Sequence, residues 1–132
     1  MDPEKLKAQL EPLSREFDLD FVALHGSVAK GKESRTSDID LAVLARNPVD
    51  MIQLTYRVIA ALGRDDVDIS DLRTAGPTLS FSVARYGRPI LERTPGSFLK
   101  FCSLAARKYY DAEKFRRARR ELLNAFAKRG TS

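Results

Sequence analysis

From Asp38 to Leu44 the chain alternates, with Ile39, Leu41 and Val43 on one side of an extended backbone and Asp38, Asp40 and Ala42 on the other. No other segment constrains the fold as much. A strand written this way must bury its apolar side in a core, yet hold two carboxylates on its other side. Side chains two apart on a strand point the same way, about 6.6 Å apart along it at ~3.3 Å per residue. Two bare carboxylates so placed repel each other unless a cation neutralises them. Taken alone, an Asp-x-Asp is explained as well by acids that keep a sheet face soluble.

The pair does not stand alone. It follows Leu24-His25-Gly26-Ser27-Val28-Ala29-Lys30-Gly31, so that Gly26-Ser27 precedes Asp38-Ile39-Asp40 by ten residues. Four fixed positions at about 7% frequency each would coincide in roughly one chain of this length in a few hundred. Gly26 lets the backbone approach a phosphate and take angles other residues avoid. Ser27 brings a hydroxyl donor, and a helical turn starting there would aim its amides at an anion. Lys30 and Ser37 are further candidate phosphate contacts. An ordinary strand-to-helix turn also suits Gly-Ser, and no Walker loop is present, because Gly-Lys-Ser/Thr does not follow at the required spacing. A phosphate-sized turn ahead of two carboxylates points to a metal-dependent enzyme that grips a nucleoside triphosphate. Mg²⁺ suits such a site, since it takes hard oxygen ligands and keeps positions open for phosphate oxygens.

The surrounding periodicities supply a frame. Asp2-Pro3-Glu4 starts a helix that carries Leu6, Leu10, Leu13 and Phe17, with Pro12 expected to bend or loosen it midway. Phe21-Val22-Ala23-Leu24 reads as a strand covered on both faces. After the strand 38–44, Asn47-Pro48-Val49-Asp50 caps a helix over 51–62 that ends at Gly63. A third strand follows at 66–70, where Asp68 lies opposite Val67 and Ile69. A neighbouring strand would bring Asp68 to Asp38 and Asp40 as a third carboxylate, able to ligate metal and draw a proton from an attacking group. Asp66 shares that face and is its rival; Asp71 reads as a loop or cap residue.

A helix over 79–86 stopping at Gly87, a short strand over 88–92, and a long last helix from about 95 to 128 complete the chain. Thr94-Pro95 is expected to cap that last helix. Phe98, Phe101, Ala105, Tyr109, Ala112, Phe115, Leu122 and Phe126 are expected to mark its inner side. The order helix–strand–strand–helix–strand–helix–strand–helix predicts an α/β (α+β) domain, a small mixed sheet with helices packed on it. Residues 1–132 read as one domain, long enough to bury a core without disulfides.

Composition excludes several classes. Apolar runs are only a few residues long, so no membrane span and no apolar signal region are expected. The single cysteine, Cys102, has no partner for an internal disulfide, which fits a reducing cytoplasm. There is no Cys/His cluster for zinc. The net charge of +5 is concentrated at the end: from Lys100 onward ten Lys or Arg face three acids. A solvated basic helix face outweighs nucleic-acid binding as the explanation, and an acidic protein partner could also read it. Arg116-Arg117 and Arg119-Arg120 either dock a partner or keep the helix soluble. His25 adjoins the Gly-Ser turn and could touch substrate, but a polar residue at a strand end explains it better; packing or exposure explains Tyr109-Tyr110 and Cys102 more simply than catalysis does.

Gly26-Ser27 followed by Asp38-Ile39-Asp40 resembles the nucleotidyltransferase superfamily related to DNA polymerase beta. The chain's size and the segment Val67-Asp68-Ile69-Ser70-Asp71-Leu72 resemble its smallest members, the minimal nucleotidyltransferase (MNT) proteins. Gly87-Arg88-Pro89-Ile90-Leu91-Glu92 is similar to the strand those proteins carry after their fourth helix. The resemblance spans residues 3–127, and residues 26–44 carry its specific part. It implies a nucleotidyltransferase-like fold with Gly26 and Ser27 on the triphosphate, Asp38 and Asp40 on Mg²⁺, and Asp68 as third carboxylate. Many relatives carry Phe in place of His25 and Arg in place of Lys30, and the second change keeps the charge but loses a bidentate donor. MNT proteins of this size are commonly encoded beside a HEPN-domain ribonuclease toxin. The resemblance therefore implies an antitoxin that moves AMP from ATP onto a toxin tyrosine, and the long basic last helix suits a homodimer or a heterocomplex. Its rivals are an antitoxin that only binds, and an adenylyltransferase for a small molecule, for which the chain has little room.

Overall fold

The computed structural model describes residues 2–26 and 38–130. Helix α1 (Pro3–Glu16) starts where Asp2 accepts the Glu4 amide at 3.0 Å, with Pro3 in the first turn. It runs on through Pro12, which was expected to disturb it. Pro12 cannot donate to the carbonyl of Ala8, but both residues are exposed, so the freed acceptor lies on the wet side of the helix. Asp18, at φ 53, then turns the chain into β1 (Leu19–His25). Arg93 ties this corner down, donating from Nη1 to the Ser14 carbonyl at 2.9 Å and to Asp18 Oδ1 at 3.1 Å.

Strand β2 (Ile39–Ala45) lies antiparallel to β1. Helix α2 (Met51–Leu62) is capped by Asp50, which accepts the Ile52 and Gln53 amides, and closes on Gly63 at φ 68. It forms the crossover that a parallel pairing requires, and β3 (Val67–Asp71) accordingly runs parallel to β2. Helix α3 (Pro77–Tyr86) stops at Gly87, β4 (Arg88–Glu92) pairs antiparallel with the far side of β1, and α4 (Ser97–Gly130) closes the chain with 34 residues. The sheet order is β3-β2-β1-β4, the small mixed sheet the sequence predicts.

Both sheet faces are covered. On one, α1 and α2 bury Leu6, Leu10, Leu13, Leu54 and Val58 against Val22, Leu24, Ile39, Leu41 and Val43. On the other, Val83 of α3 and Phe101 and Ala105 of α4 pack on Phe21, Ala23 and Ala42. Thus the continuous apolar run of β1 is buried on both sides, and the Asp40–Ala42 side of β2 faces α3 and α4.

Several boundaries move. Strands β1, β2 and β3 sit one or two residues from their expected limits while β4 falls at 88–92 as expected, and α3 begins at Pro77 rather than 79 because proline suits the first helical turn. Thr94-Pro95 does not cap α4. The Glu92 carboxylate does, accepting the Gly96 and Phe98 amides at 3.2 and 3.1 Å, while the Thr94 hydroxyl donates to Asp20. The expected inner side of α4 also ends early. Phe98, Phe101 and Ala105 are packed and Tyr109 stacks on Phe81 at 4.1 Å, but Phe115, Leu122 and Phe126 are exposed. The helix simply outruns the body beneath it. Among the described residues no helix is long and apolar enough to cross a membrane.

Candidate active site

Asp40 is the second residue of β2, and three elements converge on it. Across the antiparallel ladder its partner is His25, the last residue of β1. Across the parallel ladder its partner is Asp68 of β3, one strand spacing (about 4.8 Å) away. Gly26 follows His25 at φ +75, and a Cβ placed there would overlap the Asp40 carboxylate. Glycine is required at 26 for both reasons, the backbone angle and the close approach.

The electrostatics follow from this convergence. Burial holds the Asp40 carboxyl above the usual carboxylate range; Asp68, and less strongly Asp38, push the same way, and His25 opposes them. Asp38 itself is exposed just ahead of β2, two residues before Asp40. The structure therefore gathers Asp38, Asp40, Asp68 and Gly26 at one end of the sheet. Ser27, Lys30 and Ser37, the remaining sequence candidates, lie outside the described residues.

The structure separates Asp68 from its rival. Asp66 lies ahead of β3, and both of its carboxylate oxygens accept from the Arg64 guanidinium, which holds its carboxyl below the usual range. Its carbonyl accepts the Ile39 amide at 2.8 Å, the bond that aligns β3 with the start of β2. Asp66 is thus committed to setting register, and Asp68 is the acid set beside Asp40. Asp71 closes β3 and accepts the Arg73 amide at 3.0 Å, a strand end whose side chain caps a turn.

His25 is more than a polar strand end. Its Nε2 lies 3.2 Å from Ser82 Oγ on α3, so the residue next to Asp40 is tied to a helix 57 positions further along the chain. Its adjacency to Gly26 was the only signal in the sequence. Packing and exposure account for Cys102 and the tyrosines: Cys102 Sγ donates to the Ala84 carbonyl at 3.6 Å with its thiol pushed up by burial, Tyr109 stacks on Phe81, and Tyr110 meets that ring only edge-on and is mostly exposed.

As their side chains stand, no three His, Cys, Asp or Glu residues among those described form a group that could hold a metal ion. The chemistry of the donor set nevertheless suits a hard cation. Asp40 and Asp68 present oxygen donors from adjacent strands, and a divalent ion held there would offset the repulsion from Asp68 that adds to burial in raising the Asp40 carboxyl.

The family described as Polymerase beta, Nucleotidyltransferase matches residues 4–95. Protein adenylyltransferase MntA of Shewanella oneidensis is 39% identical over 75 residues, covering 54% of this chain and 53% of MntA, so the chain matches about half the length of that curated relative. A chain in the crystal structure of a toxin-antitoxin with AMP-PNP superimposes with a TM-score of 0.74 and 30% identity, over 89% of this chain and 97% of that one. A chain of the tri-AMPylated Shewanella oneidensis HEPN toxin in complex with MNT antitoxin superimposes with a TM-score of 0.70 and 26% identity, over 92% and 98%.

Proposed function

This chain belongs to the Polymerase beta nucleotidyltransferase family, and on that premise we propose that it transfers AMP from ATP to a tyrosine hydroxyl of a HEPN-type toxin, acting as its antitoxin. The observation that carries the reading is the register of Asp40 with Asp68, with Gly26 held against the Asp40 carboxylate. Its likeness over 89% of its length to a toxin-antitoxin component solved with an ATP analogue supports the nucleotide, and the tri-AMPylated toxin complex supports the acceptor.

Asp38, Asp40 and Asp68 would hold Mg²⁺, which when bound neutralises triphosphate charge and stabilises the departing pyrophosphate. Gly26 leaves the backbone bare where phosphate oxygens approach, and Ser27, Lys30 and Ser37 are the proposed further contacts on them. The acceptor's phenolic oxygen bonds to the α-phosphorus as the bond from that phosphorus to the bridging oxygen breaks. Asp68 takes the phenolic proton on a carboxylate oxygen, and pyrophosphate leaves. His25, fixed by Ser82, holds the neighbouring strand end in place against Asp40. Positioning and charge complementarity supply most of the acceleration.

The test is transfer of radiolabelled AMP from ATP, with Mg²⁺, to each HEPN-domain protein of the same genome. Asp38→Ala or Asp40→Ala should cut labelling at least 100-fold, about 2.7 kcal/mol of barrier. Labelling by either variant at the wild-type rate would overturn the site. Full toxin neutralisation by a triple variant at Asp38, Asp40 and Asp68 would reduce the chain to a binding module.

A further inference from the structure

Helix α4 has two halves with different surroundings. As far as Tyr109 it packs on the sheet and α3. Beyond that point the apolar spacing continues into a segment that the body does not cover. Phe115, Leu122, Leu123 and Phe126 are each more than half exposed. At 100° per residue they fall within about one third of the helix circumference, the width of a packing stripe. Scattered exposed leucines are ordinary; four large apolar side chains on one side of a projecting helix mark an interface. Residues 113–130 would extend about 27 Å at ~1.5 Å per residue.

Charge identifies the occupant. This segment carries seven Lys or Arg against two Glu. Arg119 falls one turn from Phe115, Leu122 and Leu123, and Arg116 and Arg120 border the same stripe. A second copy laid along it would set two net charges of +5 against each other across a desolvated seam, which is repulsive. A nucleic acid would use the cations but leave Leu122 and Leu123 without a base to stack on. An acidic protein surface with its own apolar strip satisfies both features.

We infer that the second half of α4 docks an acidic, apolar-striped surface of a protein partner, engaged through Phe115, Leu122 and Phe126 and flanked by Arg119 and Arg120. The antitoxin reading enters only in choosing the probe, a HEPN-domain protein. The surface lies on the segment of α4 that has left the body, so docking and AMP transfer can be broken separately.

The test measures affinity of the full chain for HEPN-domain proteins of the same genome, in parallel with AMP labelling. Leu122→Ser with Phe126→Ser, and separately Arg119→Glu with Arg120→Glu, should each weaken binding at least tenfold. Asp40→Ala should bind as wild type does. Wild-type affinity should fall about tenfold between low and moderate salt. If the α4 variants bind normally, or if no α4-dependent complex forms with any of these proteins, the inference fails. α4-dependent binding without AMP labelling sustains it and sinks the transfer reading instead. A homodimer broken by the α4 variants, or α4-dependent binding of single-stranded RNA tighter than of any protein, would overturn the choice of occupant.

Discussion

At the scale of single residues, Gly26 and Asp40 are the most constrained positions. A Cβ at 26 would collide with the Asp40 carboxylate while occupying a left-handed backbone angle. Gly26→Ala should therefore cost about 1–3 kcal/mol and displace Asp40, which thermal melting and AMP labelling would both register. Asp40 itself carries a carboxyl held above its usual range by burial and by Asp68. The folded chain then binds that proton more tightly than the unfolded chain. Stability without metal falls as pH rises from the unfolded value of 3.8 through the raised folded one. Asp40→Asn removes the charge, so at neutral pH with chelator it should melt about a degree or two above wild type, screening keeping the gain small. Added Mg²⁺ should stabilise the wild type and leave the variant unchanged. A variant that melts lower in chelator would refute this account of Asp40.

At the scale of elements, ends matter more than middles. The caps at Asp2, Asp50 and Gly63 were legible because their partners lie two to four residues away. The cap of α4 was not, because it comes from Glu92 at the end of a strand, across a turn whose shape the sequence does not display. Glu92→Ala leaves the Gly96 and Phe98 amides without that acceptor. It should cost about 0.5–2 kcal/mol and raise hydrogen exchange in the first turn of α4, with β1 and β2 little affected. Pro12 teaches the converse. A proline in mid-helix costs least where the carbonyl it deprives faces water, and that depends on which side of α1 packs.

At the scale of the whole molecule, the body and the projecting part of α4 are separable. Since the side chains beyond Ala112 are mostly exposed, ending the chain there should change the stability of the remainder by less than about 1 kcal/mol. Chemical denaturation would show it, and a larger loss would mean the second half of α4 supports the fold. What the sequence determined by itself was whatever depends on near neighbours along the chain: the order of elements, the alternation of Asp38 and Asp40 with Ile39 and Leu41, and a glycine at 26 where the backbone takes a left-handed angle. Those are short-range patterns, and the proposed phosphate-and-metal chemistry was first read from them. Tertiary structure alone decided that Asp68 rather than Asp66 stands beside Asp40, that His25 faces Asp40 and reaches Ser82, and that the apolar stripe of α4 outruns its support. Each of these is a matter of register or of where an element ends relative to another. Periodicity says which face of a strand or helix is apolar, but the position of its partner is set only when the sheet and helices pack together.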